Sequence, residues 1–484
     1  MERGQLRQRL LTDPVMPLML RLALPVIAVL VLQTMVSVAE TFYVSFLGTD
    51  ALAGVTLVFP VVTLMTMMSA GGIGGGVSSA VARAVGAGRT ADADALLLHA
   101  LVLAIVFGGL FALGALTAGP TLFRALGGSG RALDAAVTYA RFVFIGAVPL
   151  WMVNLFAAAM RGAGDVRTPT TVSLIGAALL VVLSPALIFG IGPFPRLGIA
   201  GAGTAVTLFY SFASLALIRI MASGRTGLTL RWSRLESRLF ADILRVGLLS
   251  AVGTLQLNGT VVLITGAVGM FGADALAGYG IASRLDYVQI PLLFGLGTAV
   301  ITLVGSAAGA GDRQRVRKVA WTGALLAACV TETIGLIAAA IPLLWLRLFS
   351  DDPAVLAAGA IYLHRVGPAY GATGLGMLLY FASQGYGQVV VPFIAGTIRL
   401  AVAAGGGWLA IACFGAPLPV LFVIVAAGAI LSGTITAAGV AMRLRQNQSS
   451  LPVSLAVPPV GYRAAAGPPQ ALPTIASDRR SWPT

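Results

Sequence analysis

The chain has 484 residues, of which 58% are hydrophobic and only 10% charged, and its mean hydropathy is +0.94. Soluble chains carry about 25% charged residues, and one of this composition could not cover its surface with polar groups, so soluble, disordered and fibrous classes are excluded and an integral membrane protein is expected. The net charge of +14 fits the concentration of Arg and Lys on one face of membrane proteins better than it fits nucleic-acid binding.

A helix needs about 20 apolar residues to cross the hydrocarbon layer. Runs of that kind predict twelve helices, near 17–46, 51–80, 95–118, 134–159, 169–190, 199–222, 241–269, 274–307, 319–346, 354–381, 391–414 and 418–442. The runs are continuously apolar rather than alternating, which excludes a β-barrel. The first is too long for the apolar core of a signal peptide, which predicts that no leader is cleaved. Pro25, Pro60, Pro185 and Pro291 fall inside these runs and invite kinks.

The basic residues alternate between the connections. The first face holds 23 of the 31, among them Arg3, Arg7, Arg83, Arg89, Arg161, Arg167, Arg231, Arg234, Arg313, Arg315 and Arg443. The opposite loops hold only Arg124, Arg131, Arg196 and Arg347. By the positive-inside rule the first face is cytoplasmic and carries both termini, in the inner (plasma) membrane.

The chain repeats itself. GTDALAG at 48–54 matches GADALAG at 272–278 in six of seven positions, and GGGVSSAVARAVGAG at 74–88 matches GTAVITLVGSAAGAG at 297–311 in seven of fifteen. RGAGDVRTP at 161–169 has a weaker echo in SQGYGQVVVP at 383–392. An even number of helices separates the copies, so they share one topology and form two six-helix bundles about an axis along the membrane normal. The expected division is a cytoplasmic segment 1–16, a first lobe 17–222, a linker 223–240, a second lobe 241–443 and a disordered cytoplasmic tail 444–484. Gly86, Gly88, Gly309 and Gly311 are expected to supply turns with positive φ.

Together with LIFGIGPFPRLGIAGAGTA at 187–205, GYGIASRLDYVQIPLLFGLGTA at 278–299 and GLGMLLYFASQGYG at 374–387, these motifs resemble the multidrug and toxic compound extrusion (MATE) transporters. The resemblance runs from about residue 17 to 442. It implies an all-α membrane protein of twelve transmembrane helices in two pseudo-symmetric bundles. It also implies export of organic compounds against inward H⁺ or Na⁺.

Ionisable groups inside a membrane are costly and mark transport pathways. Glu40 leads, deep in helix 1, because burial in apolar surroundings favours the neutral carboxyl and makes it a reversible proton acceptor; Gln33 lies two turns earlier on the same face. The resemblance implies an acid at Glu40 and a second acid in helix 5, where this chain has Ser184. The first lobe thus keeps one carboxylate, which favours H⁺ over Na⁺. Asn154 and Thr204 align with polar residues lining the relatives' pocket, although each also suits a structural interhelical bond. The second lobe offers Gln256, Asn258, Asp286, Glu332, Tyr370, Thr373 and Arg399. Asp286 is expected to pair with a basic neighbour such as Arg284. Glu332 is expected to serve as a second proton site or to pair with Arg399 or Arg365. His99 is read as a packing residue.

The chain has two cysteines and two histidines, so no disulfide framework, metal site or cofactor is expected. No nucleotide-binding or hydrolase motif is present, and no enzyme is expected. The expected function is a secondary active antiporter that exports amphipathic, cationic organic compounds in exchange for H⁺, with Na⁺ as the other coupling ion. It would act as a monomer, because each chain holds both lobes. A flippase for a lipid-linked saccharide is the alternative, and it would need a basic cavity.

Overall fold

The computed structural model describes residues 3–224 and 226–446, and most of the expected tail lies outside them. Among the described residues every regular element is a helix. A short helix, Arg3–Thr12, comes first. Span 1 is Val15–Ser45, span 2 Thr49–Gly86, span 3 Thr90–Ala125, span 5 Arg167–Phe189 and span 6 Ile199–Ala222. Span 4 is built of two helices, Gly130–Ile145 and Ala147–Gly162, which meet at 48°. The second half has span 7 (Ser237–Gly269), span 8 (Ala273–Gly309), span 9 (Arg313–Ala340), span 11 (Val390–Phe414) and span 12 (Leu418–Gln446). Span 10 is again a pair, Pro353–Val366 and Tyr370–Tyr386, joined by a 3₁₀ turn. All twelve expected helices are present.

Pro25, Pro60, Pro185 and Pro291 do not mark the interruptions, although Pro368 lies in the 3₁₀ turn of span 10. Pro25, Pro60, Pro185 and Pro291 all sit within unbroken helix. The breaks come at Gly146 and Gly367, and wide π turns occupy Met68–Ile73 and Ala401–Gly406. In a bundle, neighbours and local adjustments absorb the bond a proline removes, whereas missing Cβ atoms let a partner helix press in and bend the chain.

The repeat is visible in the backbone. Positive φ recurs in pairs: Gly48 at 100° with Gly272 at 103°, Gly88 at 74° with Gly311 at 76°, and Gly164 at 89° with Gly387 at 85°. Gly86 and Gly309 do not make turns. Both are the last residues of helices, and each presses on a backbone carbonyl across the molecule.

One apolar core joins spans 2 to 6 and another joins the outer parts of spans 7, 8, 10 and 12. A third draws the first turns of span 1 (Leu18, Met19, Leu22, Val26) onto spans 8, 9 and 10. Further along, Val36 and Val44 pack with the first-half helices. Span 1 therefore belongs to one core at its start and to another at its end.

The linker is held to span 3. Asp92 accepts from Arg238 at 2.7 Å, and Asp94 accepts from the backbone of Thr229 at 2.8 Å. His99 is fully buried; its Nε2 accepts from the backbone of Glu236 at 2.9 Å and its Nδ1 lies 2.8 Å from the Ala95 carbonyl. The ring is thus fixed as a structural clip, in keeping with its packing role.

Candidate functional site

Spans 1, 4, 5 and 6 bring Glu40, Tyr139, Ser184 and Tyr210 together. The Glu40 carboxyl and the Ser184 hydroxyl approach each other, yet Glu40 Oε1 and Ser184 Oγ are both buried without a hydrogen-bond partner. No basic side chain forms an ion pair with Glu40 among the described residues. A lone buried carboxylate is costly when charged. It becomes tolerable by taking a proton or by sharing a cation with the surrounding hydroxyls, and that is the reversible chemistry this cluster can do.

The other first-half candidates are spoken for. Asn154 donates to Ser69 at 2.7 Å, and Thr204 donates to the carbonyl of Ala200, one turn back, at 2.7 Å. Gln33 is exposed and takes no part in the cluster. Tyr139 and Tyr210 were absent from the sequence reading. Their signal was available, since a tyrosine in mid-span needs a partner for its hydroxyl.

The second cluster is built on Asp286 of span 8. The Tyr362 hydroxyl donates to Asp286 Oδ2 at 2.6 Å, while Asp286 Oδ1 and the Tyr370 hydroxyl are buried without partners. Tyr279 stands against the Tyr362 ring edge to face at 5.3 Å, and Arg399 of span 11 turns toward the carboxylate without closing an ion pair. The expected Asp286–Arg284 pair does not form, because Arg284 lies over the Phe349 ring at 5.5 Å. Nor does Glu332 meet Arg399 or Arg365. It accepts from the backbone of Gly371 at 2.7 Å, where the second helix of span 10 starts and its first amides lack helical partners. Of the second-half candidates, then, Asp286, Tyr370 and Arg399 converge. Thr373 donates to the Ala369 carbonyl of the preceding 3₁₀ turn at 3.4 Å, Gln256 bonds to Thr397 at 2.8 Å, and Asn258 reaches across to the sulfur of Met67 at 3.6 Å. Tyr362 is the repeat partner of Tyr139, 223 residues on.

Between the halves, the terminus-bearing side is sealed. Arg83 of span 2 forms an ion pair with Asp242 of span 7 at 2.6 Å and reaches the Gly385 carbonyl of span 10 at 3.3 Å. Ser79 donates to the Gln384 carbonyl. Gly86 lies on the carbonyl of Ser306, and Gly309 lies on that of Arg83. Gly72 and Gly76 of span 2 rest on Ala251 and Ile243 of span 7; the Gly76 contact leaves no room for a Cβ, and the Gly72 contact leaves one only if Ala251 gives way slightly. Among the described residues, no group of three or more His, Cys, Asp or Glu could hold a metal ion.

Comparison with known proteins matches this architecture. The MatE family model fits residues 25–186 and again 250–409. The chain is 30% identical over 406 residues to a protein named FAD transporter from Shewanella oneidensis, covering 81% of this chain and 87% of that one. It is 28% identical to the probable multidrug resistance protein NorM of Thermotoga maritima, covering 84% and 85%. Among solved structures, a MATE crystallised in a bent conformation superposes with a TM-score of 0.85 at 25% identity, over 92% of this chain and 99% of that one. An outward-facing multidrug resistance MATE family transporter of the MOP superfamily superposes with a TM-score of 0.82 at 25% identity, over 92% and 98%.

Proposed function

This chain belongs to the MatE family of efflux transporters, and we propose that it is a secondary active antiporter that exports amphipathic, cationic organic compounds in exchange for H⁺ bound at Glu40. The observation that carries the proposal is the buried Glu40 Oε1 without a partner, set among Ser184, Tyr139 and Tyr210. A single unpaired carboxylate is neutralised by one proton, whereas Na⁺ would have to be held against only one negative charge in an apolar core.

The sealed side carries the start of span 1, the end of span 12 and the Arg-rich connections, so on the positive-inside rule it is cytoplasmic. The chain would then rest with its lobes closed inward. Span 1 would carry the message between sites, since Glu40 sits near one of its ends while the other packs on spans 8 and 9. Protonation would change what the Glu40 end prefers to pack against, and alternating access requires the Arg83–Asp242 and Ser79–Gln384 contacts to break.

The test is uptake of ethidium into inverted membrane vesicles, energised separately by a pH gradient and by a Na⁺ gradient. Uptake under the pH gradient alone supports the reading. Strict dependence on Na⁺ replaces H⁺ as the coupling ion, and no uptake under either gradient removes the multidrug reading.

A further inference from the structure

The short helix Arg3–Thr12 lies on the sealed side and touches both lobes. Toward the first lobe, Arg7 Nε donates to the Gly86 carbonyl at 3.0 Å, and its guanidinium stands beside Gly88. Leu10 packs against Gly164, in the turn between spans 4 and 5. Leu6 packs against Gly164 as well, and against Gly227 of the linker. Toward the second lobe, the helix packs on span 8. Arg315, near the start of span 9, donates to the Leu10 carbonyl at 3.0 Å and to the Asp13 carbonyl at 2.8 Å. Leu10 is only 1% exposed and belongs to the core that joins the start of span 1 to spans 8, 9 and 10.

Ten residues of helix with no acid in the first turn are marginal on their own, so docking holds this helix in place. The last carbonyls of a helix lack partners within it and attract cations. Arg315 meets that need for the short helix, and Arg7 meets it for span 2, whose last helical residue is Gly86. Gly86 is also where span 2 presses on the Ser306 carbonyl of span 8, so the helix is fastened at the crossing of the lobes. The two attachments are unequal. The second lobe holds the helix by two charge-assisted bonds and by its continuation into span 1, which packs on spans 8, 9 and 10. The first lobe holds it by one such bond and by leucines lying on glycines, which offer no side chain to interlock. When the lobes part on this side, the first-lobe attachment is the one to give.

We propose that Arg3–Thr12 is a strap that fastens the sealed side, stays with the second lobe, and releases Gly86, Gly164 and Gly227 before that side opens. The strap rests on these contacts alone, and only its effect on transport rests on the exporter reading.

The test uses the full chain in nanodiscs, lacking Cys329 and Cys413 and carrying one cysteine at Ser79, treated with a membrane-impermeant maleimide. Leu10→Ala should speed labelling at least ~10-fold, and Arg7→Gln and Arg315→Gln at least ~3-fold each. A cysteine placed instead at Ala104, fully buried inside the first lobe, should label no faster in these variants, which separates unfastening from unfolding. Arg7 is exposed, so Arg7→Gln keeps the fold and decides the matter if Leu10→Ala does not. Unchanged labelling at Ser79 overturns the proposal, and so does labelling that rises equally at Ala104. In a second arm, cysteines at Leu6 and Gly227 are bridged by a short bis-methanethiosulfonate. Bridging should lower ethidium uptake at least ~10-fold until a reductant is added, since a tenth of the cycle is left by a shift of one decade in the opening equilibrium. Full uptake by the bridged protein overturns the release step. Absence of uptake before bridging sinks the exporter reading and leaves the strap to be judged by labelling.

Discussion

Gly86 of span 2 lies against the backbone carbonyl of Ser306 in span 8 so closely that a Cβ there would overlap it. The repeat reproduces the contact with the roles exchanged, since Gly309 lies on the carbonyl of Arg83. The two helices thus cross at a point where neither tolerates a side chain, and this crossing closes the terminus-bearing side.

Gly86→Ala should therefore keep the lobes from closing without harming either lobe. A single cysteine placed at the fully buried Ser79, in a background lacking the exposed Cys329 and Cys413, should react at least ~10-fold faster with a membrane-impermeant maleimide in the Gly86→Ala variant. A shift of about 1.4 kcal/mol in the closing equilibrium is enough for that. Unchanged labelling would mean that the crossing does not seal this side.

Asp242→Asn should loosen the same seam more gently. The aspartate is 42% exposed, and pairs of that kind contribute about 0–1 kcal/mol, so labelling at Ser79 should rise by no more than about fivefold. A charge-swapped Arg83→Asp, Asp242→Arg protein should not regain the parent's protection, because Arg83 also reaches the Gly385 carbonyl and Ser79.

Glu40→Gln should abolish uptake of ethidium driven by a pH gradient. The midpoint of thermal unfolding in detergent should not fall, because the change removes a buried acid with no partner and keeps its size. Full activity in this variant would remove Glu40 from the coupling step. A fall of many degrees would instead reveal a structural bond that the cluster lacks.

Tyr362→Phe should destabilise the second lobe by about 1–3 kcal/mol, since it removes the hydroxyl that donates to Asp286 Oδ2 and leaves Tyr370 as the remaining hydroxyl beside the carboxylate. Asp286→Asn in the same background should recover part of the loss, because an uncharged amide is easier to bury. If the double variant is no more stable than Tyr362→Phe, the Asp286 cluster is not held together by that bond.

Glu332→Gln should be nearly neutral in thermal unfolding, and Glu332→Ala should cost about 0.5–2 kcal/mol, as for loss of a helix cap. The glutamate side chain accepts from the backbone of Gly371 at the restart of span 10, and a glutamine oxygen can do the same. A large loss of transport in Glu332→Gln with unchanged stability would restore the proton-site role expected from the sequence.

The expected and observed sites differ for a consistent reason. Glu40 was readable because an acid within a long apolar run has no innocent explanation. The tyrosines around it carry a weaker signal, because a mid-span tyrosine shows that its hydroxyl needs a partner and not which group supplies it. Asp286 and Arg284 are two residues apart, and neighbours at that spacing point to different sides of a helix. Glu332 looked stranded because the sequence does not announce that span 10 stops and restarts beside it. In the sequence Arg161 is one more positive charge in a connection, and only the three-dimensional arrangement sets it on the wall of a small cavity beside Ser78.

By itself the sequence determined the membrane class, the twelve spans, their shared topology and the twofold repeat. Those follow from local quantities: the length of an apolar run, the side on which arginines fall, and the recurrence of short motifs. Tertiary structure alone decided that the chain breaks at Gly146 and Gly367 and not at Pro25, Pro60, Pro185 or Pro291, that span 1 is split between two cores, and which polar groups are satisfied. Each of these depends on what a second helix brings to the same point, and two residues equivalent by repeat, Tyr139 and Tyr362, stand beside different acids, Glu40 and Asp286.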